Sequence, residues 1–298
     1  MEVRKTVRIL LLIFLVLTIL FYSLYRKEKV NISVLSEEFV SGAVLNLKNS
    51  GVDVSENVIY RFIPEKDVYV FDALETEHHN ELVSEAIIDV VFDDKASVKS
   101  FNIPDGVSVG IYDKDNDTKE IGRVVFSNSN MSFSFSKSGV VIKSDLVALT
   151  NGYTETVTQQ QMDVIDRVVR KISPDATYRI SGSSSNDEFV IISVMQMIKG
   201  HDISDVFINF VFENNEPSVI RGTWITETLT AKYHNTLVDG VNVLYKLNLE
   251  NVSTVDSERI VYFLRKNESG RFFVVPGWEI TYTDKDGLEK SSYFDALK

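Results

Sequence analysis

Cysteine is absent from all 298 residues. This excludes disulfides, thiolate metal sites, cysteine nucleophiles and an acylated N-terminal cysteine. A domain exported without disulfides rests on its hydrophobic core, which suits a bacterial surface better than a disulfide-rich secretory setting. Positive charge is also scarce. The chain carries 31 Lys and Arg against 43 Asp and Glu. The first 29 residues hold six basic and two acidic side chains, leaving 25 basic and 41 acidic residues beyond them, a net charge of −16. Such a surface repels phosphate backbones and anionic headgroups, so nucleic acid is not an expected partner. The same acidity also serves simply to keep a domain in solution.

Long apolar runs are missing except at one place. Ile9 to Leu24 reads ILLLIFLVLTILFYSL, without a charge and with Thr18 and Ser23 as its polar members. At about 1.5 Å per residue this run reaches roughly 24 Å, and Val7 and Tyr25 extend it toward a hydrocarbon core. Tyr22 and Tyr25 stand where aromatic rings favour the headgroup boundary. No small-x-small cleavage site follows, so a retained anchor is expected over a cleaved signal peptide. Three basic residues lie on each side of the run (Arg4, Lys5 and Arg8; Arg26, Lys27 and Lys29), so orientation by charge is a tie. The short leading tail and the cysteine-free remainder favour a single-pass cell-membrane protein with its C-terminal part extracytoplasmic.

Beyond the anchor, Ser36 caps an expected helix with Phe39, Val40, Ala43, Val44 and Leu47 on one face and Gly51 as its stop. Residues 57–63 and 67–71 read as short extended segments, and 75–91 as a second helix with Leu82, Ala86, Ile87 and Val90 on one face. From Val98 the period becomes two, and residues 107–112, 121–126 and 131–136 read as an antiparallel meander. The second half repeats this order of elements. Thr158 and Gln161 make a capping-box pair opening a helix with Met162, Ile165, Val169 and Ile172 on one face, ended before Pro174. Strands are expected over 177–181, 188–198, 206–213 and 218–226, then a helix over 227–247, then extended chain over 259–265, 271–275, 279–283 and 291–294. The fold class is therefore α+β. It comprises an anchor region over 1–29 and two domains over 30–150 and 151–298, each an antiparallel sheet with helices on one face.

Candidate chemistry is thin. His78 and His79 sit among Glu75, Glu77 and Glu81, but adjacent helical side chains point about 100° apart and do not readily share one ion. A solvated acidic helix face is the favoured reading. Asp113, Asp115 and Asp117 open like a calcium loop, yet Thr118 stands where glycine is needed and Val124 where glutamate is needed, so a hairpin turn is favoured. Ser134 and Lys137 have serine-x-x-lysine spacing, but alternation over 131–136 places them on a strand, where lysine does not reach beneath serine. His201 and His234 have no triad-like neighbours, and the stretch 182–186 reads as a polar loop. No enzyme, cofactor or metal is expected. An envelope hydrolase is the least supported class.

Three stretches carry a resemblance. The first runs from Ser36 to Val54 and on through Ile63-Pro64 to Val68-Tyr-Val-Phe71. The second is Ile198 to Trp224, including the turn at Lys199-Gly200 and Ile220-Arg-Gly222-Thr-Trp224. The third is Val275-Pro276-Gly277-Trp278-Glu279-Ile280, with the turn at Asp286-Gly287 and Tyr293-Phe294. Together they resemble the YycH/YycI-type ectodomain. That resemblance implies a Gram-positive accessory protein regulating a WalK-type sensor histidine kinase of a two-component system. Its partners would be membrane lipid, the kinase or a paralogous accessory protein, with Thr18 and Ser23 as candidate contacts in the bilayer. It implies no catalytic residues. A structural or ligand-sensing cell-envelope module without a kinase is the alternative.

Overall fold

A computed structural model describes residues 17–18, 21–22, 37–55, 58, 70–73, 76–93, 95–127, 131–140, 157–185, 188–226, 228–229, 240–244, 246–247 and 249–296. In chain order the elements are α1 (Glu37–Asn49), β1 (Asp53–Val54), β2 (Phe71–Ala73), α2 (Thr76–Phe92), β3 (Ala96–Ile103), β4 (Gly106–Asp113), β5 (Glu120–Ser127), β6 (Ser132–Lys137), α3 (Gln159–Ile172), β7 (Thr177–Ser185), β8 (Val190–Ile198), β9 (His201–Glu213), β10 (Glu216–Thr223), β11 (Thr228–Leu229), α4 (Gly240–Leu244), β12 (Val252–Lys266), β13 (Phe272–Asp284) and β14 (Glu289–Asp295). This is a mostly-sheet α+β fold with few helices. Most of the expected anchor lies outside the described residues. Leu17, Thr18, Phe21 and Tyr22 are helical, whereas Ser23 is not among those described. No helix among the described residues is long and apolar enough to cross a membrane.

Two compact units divide the chain. One contains Tyr69–His234 and Ile260–Gly277; the other contains Met1–Val68, Asn235–Arg259 and Trp278–Lys298. These units do not coincide with a partition at residue 150, a position outside the described residues. In the first unit, strand order runs β11-β2-β13-β12-β9-β10-β6-β5-β4-β3, with β8 on β9 and β7 on β8. The sheet is mixed because β12 runs parallel to β9 at Tyr262 and Ile203, whereas its other registered pairs in this unit are antiparallel. Within it, α2 followed by β3–β6 and α3 followed by β7–β10 are two copies of one order, a helix and then four strands. Their fourth strands meet edge to edge, with Phe135 opposite Ile220 and Phe133 opposite Gly222.

One apolar core serves both copies. It joins Val83, Ala86 and Ile87 of α2 to Ile165, Val168, Val169 and Ile172 of α3, over a floor that includes Ile111, Val124, Phe126, Phe133, Phe135, Ile192, Val194, Ile208, Phe210 and Ile220. Removing side chains of this size from water stabilises by about 1.5–3 kcal/mol each, which is what fixes both helices to the same face. The capping box of α3 forms as its residues require. Gln161 N–H donates to Thr158 Oγ1 at 3.3 Å, and Thr158 N–H donates to Gln161 Oε1 at 2.9 Å. Gln161 Nε2 also donates to Asn215 Oδ1 at 3.2 Å, tying the start of α3 to the β9–β10 turn.

In the other unit, α1 buries Ala43, Val44 and Leu47 and ends at Gly51, whose φ of +82° places it in the left-handed region. Val52 N–H closes the end on Leu47 O at 3.0 Å. β1 then pairs parallel with β12 at Thr254 and Val255. The hairpin between β13 and β14 turns on Asp284, whose carboxylate accepts the N–H groups of Asp286 and Leu288, both at 2.9 Å. Lys290, 2.6 Å from that carboxylate, and then the Leu288 amide hold the Asp284 pKa below the ordinary carboxylate range.

Several expectations are corrected. The helix expected over 227–247 is not continuous. Thr228 and Leu229 form β11, paired antiparallel with Asp72 and Ala73, and helix is confined to α4 among the described residues of that span. A sheet edge offering free main-chain groups competes successfully with helical periodicity, because tertiary pairing overrides propensity. Val58, expected in extended chain, is helical. Residues 182–185, expected in a polar loop, complete β7, with Ser183, Ser184 and Ser185 opposite Ile192, Ile191 and Val190 of β8.

Candidate binding cleft

The end of α3 shapes a concavity in the unit that holds both helix-and-four-strand copies. Ser173 caps the helix, its N–H donating to Val169 O at 2.8 Å, and Pro174 cannot extend it. Arg170 clamps the turn that follows, Nη1 donating to the carbonyls of Pro174 at 2.9 Å and Ala176 at 3.1 Å. The chain then enters β7, where Thr177 Oγ1 donates to Met197 O of β8 at 3.1 Å. β8 leaves through a tight turn at Lys199 and Gly200, with φ of +49° and +85°, into β9.

A cleft of about 600 Å³ opens between these segments and the N-terminal part of α2. Its apolar lining includes Leu82, Ile172, Ala176, Ile198, Ile203 and Ile225. Ile172, Ile203 and Ile225 are each 1% exposed, so the floor belongs to the folded core. His78, Lys171, Lys199 and Asp175 also line it, all exposed at the mouth. Lys171 is ion-paired with Asp89 of α2, and His78 Nδ1 lies 3.9 Å from Glu81 Oε2. One wall is fixed by Gln196, a lining residue 5% exposed. Its amide exchanges two hydrogen bonds with the main chain of Ile225, at 2.8 and 2.9 Å. The volume is that of a small-molecule pocket.

On β7, Tyr178 donates to Asp166 Oδ1 of α3 at 3.0 Å. Burial first, and then this bond to an anion, push the phenol pKa up to about 12.

The histidine pair separates as helical geometry requires. His78 faces the cleft and solvent, whereas His79 is 1% exposed and packs against Phe126 and Phe133, each ring centroid 6.3 Å away. The solvated-face expectation therefore holds for His78 and fails for His79. Neither nitrogen of His79 makes a full hydrogen bond. Burial lowers its pKa from 6.5 to about 4, opposed only weakly by the nearby Met131 main chain. Its spacing was the available signal, for His79 stands four residues before Val83 and seven before Ala86, on the buried face of α2.

The remaining candidates are placed as follows. Asp113 to Lys119 form the β4–β5 turn, with Asp115 N–H donating to Asp113 Oδ1 at 3.0 Å and Thr118 Oγ1 to Asn116 Oδ1 at 2.8 Å. Ser134 and Lys137 lie on β6, and Lys137 reaches Glu216 at 3.1 Å. His201 rests its ring 5.9 Å from Tyr262, and His234 is outside the described residues. Among the described residues no three His, Asp or Glu side chains are grouped so as to hold a metal ion. Lys171, Gln196 and Lys199 were not legible as a site, because they lie in separate segments with no common spacing.

No protein-family model matches this chain, and no curated protein matches it. Among the solved structures to which the chain shows some similarity are the following two. An uncharacterized protein from Eubacterium rectale aligns at 8% identity and a TM-score of 0.46, over 78% of this chain and 84% of that one. The C-terminal domain of Bacillus megaterium YpeB aligns at 9% identity and a TM-score of 0.35, over 75% of this chain and 99% of that one. Neither value supports transfer of a role.

Proposed function

We propose that this protein is a non-enzymatic regulator that works by binding, held at the cell membrane by residues 9–24 with its folded part outside. The observation that carries the reading is the cleft beside the end of α3: a pre-formed, apolar-floored concavity held by main-chain clamps, a form suited to recognition. Its partner in this reading is an envelope sensor kinase, as the resemblance of the three sequence stretches to YycH/YycI-type ectodomains suggests. Contacts between bilayer helices, with Thr18 and Ser23 as polar members, give modest affinity. The external units add specificity. A differential of about 1–3 kcal/mol between two kinase states is enough to bias signalling.

Replacing residues 9–24 by an unrelated apolar helix tests the in-membrane part. Kinase output should lose its dependence on the regulator while the external fold is retained, and unchanged regulation would refute that part. The cleft also favours a second reading, a ligand-sensing envelope module without a kinase. Under it, the external part alone suffices, and a ligand raises its melting temperature.

A further inference from the structure

We infer that β3 is a self-association edge: two molecules of this protein pair antiparallel through β3, about a two-fold axis at Ser100. β3 ends the strand order, and its pairing with β4 runs without a shift from Ala96 opposite Asp113 to Ile103 opposite Gly106. Every residue from Val98 to Ile103 is exposed, including the large apolar side chains of Val98, Phe101 and Ile103. A regular apolar edge of this kind is a template for another strand. The repeat within the fold supplies a contrast, since β7 is the equivalent first strand of the second helix-and-four-strand set. Its register shifts between Ile180 and Gly182, and only Thr177 and Ser185, at its ends, are exposed. β3 has neither protection. Its one charge, Lys99, is drawn back over its own sheet, Nζ lying 4.6 Å from the Tyr112 ring centroid and donating to Asp117 O at 3.1 Å.

Charge selects a second molecule of this chain as the occupant. Lys95 flanks the strand at one end and Asp105 at the other, both exposed. Antiparallel pairing centred on Ser100 sets each Lys95 against Asp105 of the other molecule, so an opposite-charge contact closes each end of the pair. The same register sets Lys99 beside Phe101 and Val98 beside Asn102 across the axis. A register centred on Lys99 or on Phe101 loses both charge contacts, and the former also sets two ammonium groups opposite each other. The net charge of −12 keeps molecules apart elsewhere, but β3 itself carries no carboxylate. A pairing from Ser97 to Ile103 spans roughly 23 Å, which makes this a contact of the weak, transient class.

The lack of cysteine makes the test direct. Full-length S100C in native membranes, treated with copper phenanthroline, should form a disulfide-linked dimer, because the two Ser100 positions face each other at about 5 Å. V98C and N102C should crosslink when present together and poorly when alone, since each lies roughly 13 Å from its own counterpart. S185C, at the exposed end of β7, should stay at the collisional background. In the S100C background, K95E and D105K should each lower the dimer yield several-fold, and K95E/D105K should restore it, as exposed ion pairs contribute a few-fold each. Restoration by the second reversal also shows that the single variants are folded. Absence of the S100C dimer, equal yields from S100C and S185C, or a double variant as weak as the single ones overturns the inference. Crosslinking of S100C to a protein of another mass overturns it too, by giving the edge to a different partner.

Discussion

Gln196 and Ile225 exchange a reciprocal pair of hydrogen bonds, the side-chain amide donating to the Ile225 carbonyl at 2.8 Å and accepting the Ile225 N–H at 2.9 Å. Both residues are buried, so a single side chain does the work that a neighbouring strand would do for the chain beyond β10. Gln196→Leu leaves a buried N–H and a buried C=O without partners, at a cost of about 2–4 kcal/mol. Gln196→Glu keeps an acceptor but loses the donor, and should not rescue. Urea denaturation of the two variants measures both effects.

His79 makes stability depend on acidity. Its folded pKa of about 4 lies below the ordinary 6.5 because burial disfavours the charged ring. The unfolded chain therefore binds the proton more tightly. The contribution of a neutral His79 is complete above pH 6.5, is lost as pH falls from 6.5 toward 4, and changes no further below. The full loss is about 3 kcal/mol. His79→Leu should flatten this part of the stability profile and make the variant the more stable of the two at pH 4. Denaturation midpoints across that range decide it. A slope unchanged in the variant would assign the effect to carboxylates elsewhere.

Gly222 sits where β10 passes β9, with φ of +156°, and a Cβ there would lie 2.0 Å from the Phe207 carbonyl oxygen and 2.8 Å from Ile208 Cα. These neighbours are main chain and cannot swing aside. Gly222→Ala should cost about 3 kcal/mol by forcing β9 and β10 apart. Proton exchange on the β9 amides should accelerate selectively in the variant. Exchange that is unchanged across β9 would mean the close approach is relieved without opening the pair.

The degree to which the chain announced its own fold differs by element. α3 was fully legible, since Thr158, Gln161 and Pro174 are local signals and the bonds they imply are present. The meander over 106–137 and the four strands over 177–223 were legible too, because their alternation is strong; β3 (Ala96–Ile103), which completes the first set of four, was not read as a strand of its own. What joins the copies was not legible, for the edge pairing of β6 with β10 is set by Phe133, Phe135, Ile220 and Gly222 meeting across a long separation. Thr228 and Leu229 were misread as helical because their strand is defined by its partner, Asp72 and Ala73. The cleft was invisible for the same reason. His78, Lys171, Gln196 and Lys199 share a surface only after α2, α3 and β8 are folded together.

The most direct test of the regulator reading is crosslinking and affinity purification of the full-length protein from native membranes, with partners identified by mass spectrometry. A sensor kinase recovered with the parent residues 9–24 and lost when they are replaced is the result the reading requires. Recovery of wall polymer or wall-associated proteins, with no kinase in either sample, would contradict it and leave a ligand-binding module of the envelope.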